Sequence, residues 1–92
     1  MKIKILKSFS DKFSRQLAYI AIDKPEAAKK FRLNVLEKIR MLSQFPYKNK
    51  QSIFFDDQNI RDLIFKGYII VYRVKESEIE VFGFIKYEEK LK

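Results

Sequence analysis

The stretch NIRDLIFKGYIIVYRVKESEIEVFGFIK, from Asn59 to Lys86, leaves this chain few ways to fold. It is dense in residues that suit a pleated, half-buried surface, among them Ile60, Phe65, Ile70, Val71, Tyr72, Val74, Ile79 and Val81, and two short polar breaks divide it. Lys66-Gly67 supplies a residue free to take positive φ, and Lys75-Glu76-Ser77-Glu78 forms the second break. The pattern predicts an antiparallel meander of three strands. Side chains alternate across a strand, so Tyr68, Ile70, Tyr72 and Val74 should face a helical layer, with Ile69, Val71, Arg73 and Lys75 opposite. The same alternation puts Leu63, Phe65, Ile79, Val81, Gly83 and Ile85 inward, and Asp62, Ile64, Lys66, Glu80, Phe82, Phe84 and Lys86 outward. Ile64, Ile69, Val71, Phe82 and Phe84 then make an apolar patch ringed by charge. Such patches usually bind something, unless the 47–58 loop or the C-terminal Tyr87–Lys92 folds over it.

Upstream the period changes twice. Residues 2–7, KIKILK, alternate Lys with Ile, as in a short strand whose lysines discourage further pairing at a sheet edge. Phe9, Phe13, Leu17 and Ile20 then recur at helical spacing and predict a first helix over about 9–22, with Ser8 and Asp11 as a capping box. Asp23-Lys24-Pro25-Glu26 closes that helix and opens another. Phe31, Val35, Ile39 and Leu42 form the second stripe, which runs to Gln44 or Phe45, before Pro46. Lys29, Lys30, Arg32, Lys38 and Arg40 fall largely outside it and read as a solvated face. Residues 47–58 have no sustained period and leave room for a short strand at Ser52–Phe55. The expected architecture is α+β in one domain over residues 1–92: an N-terminal strand, an antiparallel helical hairpin, then the three-stranded antiparallel meander.

Composition narrows the chemistry. A chain of 92 residues buries only about 60–65% of its unfolded surface, so function should lie on a surface or shallow groove. Twenty Lys and Arg against twelve Asp and Glu give a net charge of +8, a bias toward polyanions or an acidic protein partner. The absence of Cys and His excludes Ser-His and Cys-His catalysis and the commonest transition-metal ligands. No nucleotide, metal or flavin motif is present, so no cofactor is expected. No run is long enough to span a membrane, and the start MKIKILKSF lacks a signal-peptide apolar region, which suggests the cytoplasm.

Order and wording converge on a known family. The junction DKPEAAKKF, the helix end IRMLSQFP and the run IRDLIFKGYIIVYRVKESEIEVF resemble the RelE/ParE superfamily of type II toxin–antitoxin toxins over nearly the whole chain. The combination rests on Arg61 and Leu63, then Gly67-Tyr68, then VYRV at Val71–Val74 and an acidic turn into a β-branched strand. The resemblance implies a sheet with a helical hairpin on one face and a cognate antitoxin whose tail wraps the toxin. Its RNA-cleaving branch typically carries Arg directly after the Gly-Tyr of the central strand, where this chain has Ile69. That chemistry needs a group to take the 2′-hydroxyl proton and cations for the charged phosphorane. Lys86, Tyr87, Arg61 and Lys66 are the remaining candidates here, and Asp62, Glu88 and Glu89 would repel an RNA backbone.

The ParE branch, which the resemblance links to DNA gyrase inhibition, carries apolar residues in that strand, as YIIVYRV does. It often ends the last strand with Arg and His, where this chain has Gly83 and Lys86. The favoured reading is therefore a ParE-like toxin that is not an enzyme and engages antitoxin and gyrase through Ile64, Ile69, Val71, Arg73, Phe82, Phe84, Lys86 and Tyr87. The alternatives are a RelE-like interferase that cleaves ribosome-bound mRNA with a reduced site, and a non-toxic relative that only binds antitoxin. Arg61, beside Asp56, Asp57 and Asp62, reads as a fold-stabilising ion pair, and Tyr72 as a core residue with its hydroxyl satisfied at an edge.

Overall fold

In the computed structural model, which describes residues 1–87, the chain passes from β1 (Lys2–Ile5) almost directly into α1 (Lys7–Asp23). Then come α2 (Pro25–Met41), β2 (Ile60–Phe65), β3 (Tyr68–Val74) and β4 (Glu78–Lys86). The four strands form one sheet in the order β1-β4-β3-β2. The meander is antiparallel, and β1 lies parallel to β4 at the edge, with Lys2 opposite Glu78 and Ile5 opposite Val81.

The turns obey their local chemistry. Lys66 and Gly67 both take positive φ, 48° and 82°, which gives the two-residue turn whose twist matches a hairpin. Pro25 occupies the first turn of α2, where its missing N–H costs nothing, and Glu26 there and Lys38 and Arg40 at the far end complement the helix dipole. The helix stops at Met41, short of Gln44. Leu42, Ser43 and Gln44 donate instead to the carbonyls of Ile39, Arg40 and Met41, tightening the last turn to i→i+3 bonds.

The expected capping box does not form. Only Leu6 separates β1 from α1, and its N–H is tied to the Val81 carbonyl at 2.9 Å, so the helix begins at Lys7 and Ser8 lies inside its first turn. The Ser8 hydroxyl donates to the Phe82 carbonyl at 2.6 Å, and Asp11 pairs with Lys7 at 2.8 Å. The short strand at Ser52–Phe55 is also absent; Gln51 makes a single bridge to Arg61.

Helices and sheet close over Phe9, Phe13, Val35, Ile39, Leu42, Leu63, Ile70, Tyr72, Val74, Ile79, Val81 and Phe84. Here Phe84 departs from simple alternation: it faces the helices, 5.7 Å edge-on to Phe9, 5.4 Å from Phe13 and stacked on Tyr68 at 5.1 Å. The cause is a β-bulge. Val71 lies opposite Gly83 but Tyr72 opposite Val81, so Phe82 is an extra residue and the facing of β4 reverses beyond it. Phe84 and Lys86 therefore turn toward the helices, while Gly83 and Ile85 turn to the other face, the reverse of the expected assignment. Gly83 is required there, because a Cβ would sit 2.9 Å from the Val71 Cβ.

Gly83→Ala should lower unfolding free energy by about 1–3 kcal/mol through overpacking against Val71. Gly67→Ala should lower it by about 1–2 kcal/mol through left-handed strain alone, since its Cβ would meet open space. Urea denaturation checks both, and a Gly83→Ala variant as stable as the parent would contradict the bulge geometry.

Candidate functional site

The face of the sheet away from the helices was expected to be an apolar patch, open unless the 47–58 loop or the C-terminal segment folds over it. It is largely closed. Ile69 and Val71 are each only 1% exposed and cluster with Ile60, against which Phe82 and Ile85 pack. The segment before β2 folds back to help make the cover. Ser52 N–H donates to the Ile60 carbonyl at 2.7 Å, Asp62 N–H to the Lys50 carbonyl at 3.1 Å, and Phe55 lies edge-on to Phe82 at 5.7 Å. Asp62 is buried beneath it, accepting from Ile53 N–H at 3.0 Å, so its carboxylate is not a surface charge that could repel RNA. Glu88 and Glu89, and a cover made by the C-terminal segment, lie outside the described residues.

Ile64 is the member of the expected patch that stays well exposed, at 59%. It borders a cavity of about 260 Å³ with Met41, Phe45 and Lys48, and another of about 380 Å³ with Lys50 and Ile53. Arg73 lies at the rim of the closed face, 3.1 Å from Glu80 and over the Phe82 ring at 4.9 Å. Partial burial opposes ionisation of Glu80, but bonds from Arg73 and Lys75 outweigh it and hold the carboxyl below its usual range.

Arg61 is structural, though not through the aspartates. Its Nε donates to the Gln58 carbonyl at 2.8 Å, another guanidinium nitrogen to the Asn49 carbonyl at 3.0 Å, and the group stacks over Tyr47 at 4.9 Å. Tyr72 beside it is fully buried; its hydroxyl donates to the Pro46 carbonyl at 2.8 Å and accepts from Asn49 at 3.2 Å. Both residues pin the irregular segment to the sheet. Burial raises the Tyr72 phenol above its ordinary value, against the opposing pull of Asn49 and Arg61.

Lys66, Lys86 and Tyr87 gather at the other end. Lys86 lies opposite Tyr68, and Tyr87 N–H donates to the Gly67 carbonyl at 2.6 Å, next to the Lys66-Gly67 turn. Arg61 is five residues back along β2, about 16 Å of strand, so these four candidates do not converge.

One feature was missed from sequence. Lys12, Arg15, Gln16 and Tyr19 of α1 and Phe84, Ile85 and Lys86 of β4 line a groove of about 420 Å³. The signal was available, since Lys12, Arg15, Gln16 and Tyr19 recur at i, i+3, i+4 and i+7 beside the apolar stripe. Its partner wall was not: only the bulge brings Lys86 to this side, 5.8 Å from the Tyr19 ring.

A mixed four-stranded sheet with a helical hairpin on one face places this molecule in a known fold. It superposes on a chain described as "Chromosomal ParDE TA system from P. aeruginosa" with a TM-score of 0.77, covering 94% of this chain and 95% of that one at 18% identity. Residues 3–90 match the family described as "ParE toxin of type II toxin-antitoxin system, parDE". The chain therefore belongs to the ParE toxin family, within the RelE/ParE superfamily, and that membership implies an antitoxin as partner. A comparison with curated proteins gives no match. Among the described residues no helix is long and apolar enough to cross a membrane.

Tyr72→Phe should cost about 1–3 kcal/mol, because it leaves the Pro46 carbonyl and the Asn49 amide short of a partner. The raised phenol pKa adds a pH signature. The folded state holds this proton more tightly, so the contribution is complete below the ordinary value of 10.0 and is lost as pH rises from there toward the raised one. Stability measured against alkaline pH should fall more steeply in the parent than in Tyr72→Phe.

Proposed function

We propose that this ParE-family toxin acts by binding, that DNA gyrase is its target and that a cognate antitoxin neutralises it. The observation that carries the reading is Ile69. It stands directly after Gly67-Tyr68, where the RNA-cleaving branch typically holds Arg, and it is buried at 1% exposure under the outer face of the sheet. A side chain in that place cannot touch a phosphate. Arg61 is engaged by two carbonyls and a ring, which leaves it poorly placed to stabilise a phosphorane. Of the residues expected to bind, Ile64, Arg73, Phe82, Lys86 and Tyr87 are the ones that retain exposed surface; Ile69 and Val71 are buried under the outer face and Phe84 in the core on the helical side.

The grouping of Lys66, Lys86 and Tyr87 at one turn favours a second reading, a ribosome-dependent mRNA interferase with a reduced site. Ectopic expression should arrest growth, and co-expression of the antitoxin encoded beside the gene should restore it. Purified protein at micromolar concentration should inhibit supercoiling by gyrase while translated transcripts stay intact. Arrest with mRNA cut in the ribosomal A site, abolished by Lys86→Ala with Tyr87→Phe, would replace gyrase with the second reading. Growth unaffected by expression would leave a protein that only sequesters antitoxin.

A further inference from the structure

The run FPYKNKQSIFF, residues 45–55, helps to cover the outer face of the sheet yet keeps its own large side chains in water. Phe45, Tyr47, Ile53, Phe54 and Phe55 are all exposed, with exposed Lys48 and Lys50 between them and no acid in the run. Beside the edge of β2 lies the cavity of about 260 Å³. Buried Leu42 and Leu63 make its floor, exposed Met41, Phe45 and Ile64 its walls, and the charged residues of its lining are Lys38 and Lys48. Neither lysine has an ion pair among the described residues. Lys38 and Lys66 lie over the same ring, Phe65, at 5.6 and 5.5 Å, and Lys50 lines the adjoining cavity of about 380 Å³. Four cations thus follow the β2 edge past a slot with an aromatic wall. The acid of the adjoining cavity, Asp62, is buried and accepts from Ile53 N–H, so the charge presented to solvent is positive.

We propose that this slot takes one unstacked base of a single-stranded nucleic acid against the Phe45 ring, with the flanking phosphates on Lys38 and Lys48 and the strand running on toward Lys66 and Lys50. The volume suits a single planar ring, since pockets for drug-sized ligands run from about 300 to 1,000 Å³. Composition decides between nucleic acid and protein. Lysine is depleted at protein–protein interfaces, whereas unpaired cations among exposed rings make the grooves on which single strands stack. A duplex keeps its bases paired and stacked and has none to give the slot. The inference goes beyond the gyrase reading, does not depend on it and involves no cleavage.

The test is fluorescence anisotropy with the full chain and labelled oligothymidylate and oligouridylate of equal length. Saturable binding that weakens as salt rises is expected, and the preferred oligonucleotide names DNA or RNA as the source. Lys38→Gln with Lys48→Gln should weaken it about tenfold or more and lower the log–log salt slope by about 1.4. Phe45→Leu, which keeps apolar bulk but removes the π-face, should weaken it about fivefold or more. Lys2→Gln with Lys4→Gln, on β1 at the opposite edge of the sheet, removes the same charge and should have a much smaller effect. All five side chains are exposed, so circular dichroism should show the fold unchanged in each variant. Five results would overturn the proposal: no binding of either oligonucleotide at low salt; equal losses from the two lysine pairs; a Phe45→Leu variant that binds like the parent; a duplex that binds as tightly as the single strand; or a polyglutamate peptide that displaces the oligonucleotide at equal concentration, which assigns the slot to an acidic protein. Gyrase inhibition and growth arrest are scored separately, and either can fail with oligonucleotide binding intact.

Discussion

Burial of β3 on both faces is the constraint to which the other elements answer. Ile69, Ile70, Val71 and Tyr72 are four successive residues with 1% exposure or less, so neither side of the strand can be left to water. Burying each apolar side chain is worth roughly 1.5–3 kcal/mol, which makes a cover on each face the largest local gain the chain can make. The helical hairpin supplies one cover through Phe9, Phe13, Val35 and Ile39. On the other side Phe82 and Ile85 pack beside the strand, and residues 50–55 fold back with their ends fixed by Arg61, Asp62 and Tyr72. The polar groups that look functional in a list of residues are largely spent on holding this cover.

The bulge at Phe82 reconciles the two layers. With strict alternation, Phe84 would lie on the outer face and the space between Phe9, Phe13 and Tyr68 would lose its central ring. One extra residue reverses the facing of the rest of β4, at a cost confined to the ladder between Val71 and Tyr72. Gly83 makes that tolerable by leaving the space beside Val71 empty. The same reversal moves Lys86 from the outer face to the side of α1, where it completes a cationic wall with Lys12 and Arg15. A packing solution in the core thus determines the electrostatics of a surface groove.

For function, the consequence is a shift from the face of the sheet to its margins. A closed outer face offers Ile64, Arg73 and Phe82 at its rim, and the basic groove lies on the helical side. These margins are where the basic and apolar side chains of this ParE-family chain reach the surface.

The sequence by itself determined the element order, the positions of the helical stripes, the Lys66-Gly67 turn and the helix-facing set of Tyr68, Ile70, Tyr72 and Val74, because each follows from interactions a few residues apart. The tertiary structure alone decided which way Phe84 and Lys86 point, that the outer patch is covered, and that Arg61 turns to carbonyls and a ring instead of aspartates. Those outcomes depend on strand register and on chain distant in sequence: an inserted residue barely alters local propensity, yet it changes every side chain's face beyond it.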